Sequence, residues 1–174
     1  MTGDMPLPRI CIYADSAISR DVMPLFIPDI SESWKVKICL AARVHRLGKN
    51  ILPKFVHRYV DAVGAVAILQ PTDDNLEKSG VMRILDGAVT TGTWIERNIG
   101  ADDALTVDTN GESRLFRPAE LGIAEAVSLI SRYATLKTGD FIIFESTAAG
   151  LPLSRNDIID VTIDSRAALH LKVK

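Results

Sequence analysis

A strand-rich α+β fold is predicted for this chain by three observations: many short apolar segments alternate every second residue, only two segments show helical spacing, and hairpin turns are readable between strands. With 174 residues, 47% of them hydrophobic and 24% charged, the chain has the means to bury one core of its own. Positions 1–174 are therefore read as a single domain.

Strand-like segments fall at 9–13, 25–27, 34–44, 65–69, 105–107, 141–145, 158–163 and 169–173. The longest, WKVKICLAARV at 34–44, sets Val36, Ile38 and Leu40 against Lys35, Lys37 and Cys39, the alternation of a strand with one apolar face. A first helix is expected after Pro53, whose fixed φ suits a helix start. Phe55, Val56, Tyr59, Val60 and Val63 would share one side of it, and Gly64 would close it. The polar stretch 72–80 reads as a loop or short helix. A second helix is expected from Pro118, with Ile123, Val127, Ile130 and Ala134 at helical spacing before Gly139. Both read as packing helices. Asn110-Gly111, between LTVD and SRLF, predicts a type I′ hairpin, and 165–167 should join the last two strands, so part of the sheet content is antiparallel.

A net charge of -2 with scattered basic residues argues against nucleic acid and anionic membranes as partners. The N-terminus, MTGDMPLPRI, lacks a charged region followed by an apolar one, and no apolar run is long enough to span a bilayer. A cytoplasmic protein is expected. Cys11 and Cys39 lie in strand-like segments without CxxC or Cys/His spacing, which predicts reduced core cysteines. His45, His57 and His170 have no ligand-spaced neighbours and read as surface or packing residues. Asp73, Asp74 and Glu77 form the densest acidic cluster but lack calcium-loop spacing, so a solvated loop is expected there.

Lys35 and Lys37 point the same way if 34–44 is a strand. Their Cα atoms would be roughly 7 Å apart, and two ammonium groups at that spacing repel by about 2 kcal/mol at an effective dielectric of about 20. Such a pair attracts anions and repels cations.

The run SRYATLKTGDFIIFESTAAG at 131–150 resembles the fumarylacetoacetate hydrolase family segment S-r-x-x-T-L-x-x-G-D-x-I-x-x-G-T-P-x-G, through Thr135, Leu136, Gly139, Asp140, Ile142, Thr147 and Gly150. Upstream, FIPDI, WKVKI, HRLGKNI and HRYVDAVGAVAI follow in the family's order, so the resemblance is colinear from about Pro8 onward. It implies a mixed β-sandwich or roll around a central pocket, with two packing helices, and commonly a homodimer. It also implies Mg²⁺ or Mn²⁺ chemistry on a 2-oxo or β-diketo acid, in which a Lewis acid polarises the carbonyl.

The resemblance places the family's E-x-E ligand pair at Lys35 and Lys37 and its third, aspartate ligand at Ile68, counting from HRYVD and Gly64. No metal cofactor is expected at such a site. A lysine that the family carries before its D-G pair corresponds to Arg83, ahead of Asp86-Gly87. The G-T-P-x-G turn has become Ser146-Thr147-Ala148-Ala149-Gly150, preceded by Glu145. The family segment R-N-Y-x-x-H-x-x-E, which supplies a His/Glu acid-base pair, has no counterpart, and no catalytic residue is assigned. Lys35, Lys37, Arg83, Ser146 and Thr147 are instead candidates for a site where cations and hydroxyls hold a small carboxylate or phosphate.

Three functions stay open on these residues. One is a non-catalytic binding or regulatory protein with a degenerate site, pairing with itself. Another is an active hydrolase, decarboxylase or isomerase with a relocated metal or a Schiff-base lysine. The third is an inactive structural partner of a paralogue.

Overall fold

The longest apolar alternation in the sequence becomes the centre of the fold. In the computed structural model, which describes residues 10–97, 105–116, 122–145 and 149–174, strand β2 (Trp34–Val44) lies antiparallel to β3 (Val60–Pro71) over its whole length. Around this ladder a large sheet forms from β1 (Ile18–Arg20), β4 (Val89–Thr91), β5 (Ile95–Glu96), β8 (Phe141–Phe144) and β9 (Leu151–Leu153). Its order is β1-β4-β3-β2-β8, with β5 also on β3 and β9 also on β2. A second sheet runs β11-β10-β6-β7, from β6 (Leu105–Thr109), β7 (Glu112–Phe116), β10 (Ile158–Ile163) and β11 (Arg166–Lys172).

The two sheets bury one face each against the other. From the large sheet come Val36, Leu40, Ala42, Val63, Ala65, Ala67 and Leu69; from the second come Ile159, Val161, Ile163, Leu169 and Leu171. Residues of opposite parity cover the other face of the large sheet, where Cys39, Ala41, Val66, Ile68 and Val89 form a smaller apolar cluster with Tyr13, Ile18, Trp94, Phe141 and Ile143 around it. This is the strand-rich α+β architecture that the sequence predicts.

Both hairpin signals fold, one of them displaced. Asn110 and Gly111, with φ of 52° and 83°, turn β6 into β7 as a type I′ pair demands. The last turn uses Asp164 and Ser165, at φ 49° and 63°, between the paired Ile163 and Arg166, so it precedes the expected position 165–167.

The first helix is a correction. Pro53 does start a helix, but it is a 3-10 helix, Pro53–Arg58, and the chain is a strand from Val60 onward. Val60 and Val63 satisfy helical spacing, yet β3 is buried on both faces, so a continuous apolar run replaces strict alternation and the β-branched content decides. The second helix, α2, spans Ile123–Tyr133 and packs on the 3-10 helix. Its expected start at Pro118 lies outside the described residues. The stretch 72–80 contains a short helix, α1 (Asp74–Lys78), capped by the Asp73 carboxylate, which accepts the N–H groups of Asn75 and Leu76.

Among the described residues, 10–13 form no strand, and 25–27 contribute only a bridge from Leu25 to Val173. Cys39 is buried as expected, whereas Cys11 is exposed because its segment never enters the sheet. Among the described residues no helix is long and apolar enough to cross a membrane.

Candidate functional site

The face of the large sheet turned away from the main core carries the sequence-predicted residues. Lys37 stands directly opposite Ile68, Ile68 opposite Val89, and Val89 opposite Ile18, one row across four strands. Lys35 lies two residues up β2 on the same face, opposite Gln70 on β3 and Pro152 on β9. The three positions that the resemblance assigns to metal ligands are thus adjacent.

Their exposure differs. Lys35 is exposed, and a methyl at Gly150 would come within 2.9 Å of Gln70 Oε1 and 3.1 Å of Lys35 Cβ, so Gly150 packs closely on this end of the face. Lys37 keeps only 17% of its side-chain surface and sets its ammonium 3.8 Å from Glu145 Oε1, while Glu145 is 64% exposed. Lys37 therefore has a carboxylate beside it, which a reading of isolated strands does not show.

Arg83 ends a 3-10 helix, Val81–Arg83, and donates from Nη2 to Cys11 Sγ at 3.1 Å. The backbone of the same segment is tied in, with Ala14 N–H donating to the Arg83 carbonyl at 2.8 Å. Tyr13 packs on the Cys39, Val66 and Ile68 face. Burial pushes its phenol above the ordinary tyrosine value, Glu145 and the two cysteines add to the rise, and Arg83 opposes it. Ser146 and Thr147, the candidate hydroxyl donors, lie outside the described residues.

Sequence reasoning missed Tyr13 as a site residue. The alternation Cys11, Tyr13 in RICIY was the available signal, because it puts both on one side of an extended segment. It also missed a cluster at the other end of the face. Arg43 and Asp61 form a paired ion bridge there, Arg43 lies 5.9 Å from the Trp94 ring centre, and Trp94 meets Phe141 at 5.5 Å in a tilted contact. Gly64 makes room for Trp94, since a methyl there would come within 2.9 Å of the indole.

The remaining candidates stay apart from this face. His45 and His57 are exposed, and His170 is half-exposed with Nδ1 2.6 Å from Asp160 Oδ1. Asp73 serves as a helix cap and Asp74 pairs with Lys78 at 3.6 Å. An open groove of about 460 Å³, lined by Phe26, Ile27, Arg155, Asn156 and Lys174, contains none of the predicted site residues. The chemistry of the face bearing Lys35, Lys37 and Ile68, not the size of that groove, makes it the better candidate.

The donor set does not fit a hard divalent cation at the resemblance-assigned positions. Two ammonium groups and an isoleucine offer no oxygen, where Mg²⁺ or Mn²⁺ requires several. Among the described residues, no group of three or more His, Cys, Asp or Glu is placed to hold a metal ion.

No protein-family model and no curated protein matches the sequence. Solved structures do match in shape. The 5-carboxymethyl-2-hydroxymuconate delta-isomerase of Mycobacterium smegmatis superposes with a TM-score of 0.81 at 20% identity, over 99% of this chain and 72% of that one. The fumarylpyruvate hydrolase of Pseudomonas aeruginosa, solved with Mn²⁺ and pyruvate, gives 0.74 at 18% identity, over 92% and 76%. A protein assigned to the fumarylacetoacetate hydrolase family from Yersinia pestis CO92 gives 0.76 at 18%, over 93% and 82%. These superpositions show that the chain has the fold of the fumarylacetoacetate hydrolase family.

Proposed function

We propose that this chain is a non-catalytic protein on the fumarylacetoacetate hydrolase fold, which holds a small carboxylate or phosphate on the face bearing Lys35, Lys37 and Arg83. The observation that carries the reading is the placement of Lys37 directly opposite Ile68. Those positions, with Lys35, are where a metal-using relative needs carboxylates, and here they present two cations and an alkyl group. The Lys37–Glu145 separation of 3.8 Å exceeds a hydrogen bond, so an incoming anion exchanges with a loose partner and not a tight one.

The test combines calorimetry and thermal unfolding. Mn²⁺ should give no binding heat at this face, and chelation should leave the protein unchanged. Oxalate or phosphate should raise the melting temperature, since a ligand that binds only the native state stabilises it by mass action. Cleavage of an acylpyruvate or oxaloacetate that disappears on chelation would falsify the reading.

The protein is also proposed to pair with itself. The reading rests on the resemblance, which implies a homodimer, and Ile12 and Val22, at 80% and 81% exposure, are apolar residues that such pairing could cover. Light scattering should report twice the 19.0 kDa chain mass, and a clean monomer at micromolar concentration would remove this part.

A further inference from the structure

We propose that the Lys37–Glu145 pair recognises a zwitterion, so that the small carboxylate of the reading above is an α-amino acid and not a 2-oxo acid. The inference rests on that reading and adds the ligand class. Lys37 Nζ and Glu145 Oε1 stand side by side at 3.8 Å, two opposite charges at the surface of one sheet face. An α-amino acid carries its carboxylate and its ammonium on one carbon, and its own charges are similarly close. Laid against the pair in the opposite sense, it sets carboxylate on Lys37 and ammonium on Glu145, and both contacts are attractive. A plain carboxylate meets Lys37 but is repelled by Glu145, and a plain amine meets the reverse. The pair thus selects by what it repels as well as by what it attracts.

Access and surroundings agree with this. Glu145 is 64% exposed and Lys37 17%, so the ligand approaches from the carboxylate side. Beside Lys37 the row continues into Ile68 and Val89, both buried and apolar, with Tyr13 packed on the same face. Arg83 donates to Cys11 Sγ, and Lys37 is the cation recorded beside the acidic partner, with the exposed Lys35 two residues away on the same face.

L-alanine and pyruvate differ only in an ammonium-bearing carbon against a carbonyl, so they make a matched pair with ethylamine as the cation control. In ligand-observed NMR titrations, the wild type should bind L-alanine roughly fivefold more tightly than either, as one added partly exposed charge pair allows. Glu145→Gln should erase that preference while pyruvate binds as well or better, and Lys37→Met should lose alanine and pyruvate together. Pyruvate or ethylamine matching alanine in the wild type, or alanine binding unchanged in Glu145→Gln, overturns the zwitterion and leaves the anion site standing. Silence from alanine, pyruvate, oxalate and phosphate alike overturns both.

Discussion

Arg43 holds Asp61 through two parallel hydrogen bonds, Nε to Oδ1 at 3.0 Å and Nη2 to Oδ2 at 2.9 Å, at the one irregularity of the β2–β3 ladder. Arg43 pairs with Ala62 and Val44 with Val60, so Asp61 is the extra residue of a bulge. The bulge redirects its side chain into the guanidinium fork. The hydrogen bond from Arg43 holds the Asp61 carboxyl below the usual carboxylate range, against the opposing effect of burial. Stability from the pair is therefore present above the unfolded carboxylate pKa and is lost as pH falls through the lower folded value. Asp61→Asn should cost about 1 kcal/mol at neutral pH, allowing for the partial exposure of both groups. Denaturant titrations should show this difference vanish in acid; a difference that persists there would assign it to shape and not charge.

Tyr13 should ionise above free tyrosine, because burial and the nearby Glu145 both disfavour phenolate. A raised folded value means that its contribution is complete below the unfolded pKa and fades as pH rises through the folded one. Phenolate absorbance in wild type against Tyr13→Phe isolates this residue. In Glu145→Gln the Tyr13 transition should move back toward the ordinary value.

Charge reversal at the candidate site has a two-way outcome. Lys35→Glu with Lys37→Glu should abolish the rise in melting temperature caused by oxalate or phosphate. Adding Ile68→Asp, directly opposite position 37, completes three hard-oxygen side chains and should give weak Mn²⁺ binding by calorimetry.

Gly92 should tolerate no side chain. Its N–H donates to the Ala65 carbonyl in the large sheet, and a methyl at its Cα would run into the Ala168 carbonyl oxygen of β11. Gly92→Ala thus forces the two sheets apart at backbone, which cannot yield as a side-chain tip does. A loss of roughly 1–3 kcal/mol or more is expected from thermal unfolding.

The adjacency of Lys35, Lys37 and Ile68 was legible because strand alternation and the colinear resemblance constrain the same residues. The 53–64 helix was misread because Val60 and Val63 satisfy helical spacing while belonging to a strand buried on both faces. Glu145 beside Lys37 was not legible, because the two meet only through the pairing of β2 with β8. For Tyr13 the alternation with Cys11 gave a direction, but no local pattern shows that its segment lies against the Cys39, Val66 and Ile68 face. Cys11 shows the same lesson: alternation predicts direction, while burial depends on whether a neighbour arrives.

The β2–β3 ladder also sets an order of assembly. Its strands are separated by a short connection and leave the ribosome early, whereas β10 and β11, which cover their apolar inner face, are translated after residue 157. Until then Val36, Leu40, Val63 and Leu69 lack the sheet that packs on them. The closing step is long-range as well: Leu25 N–H donates to the Lys172 carbonyl, and Lys174 N–H to the Leu25 carbonyl. Closure of the core therefore waits on contacts between residues far apart in the chain, which slows folding.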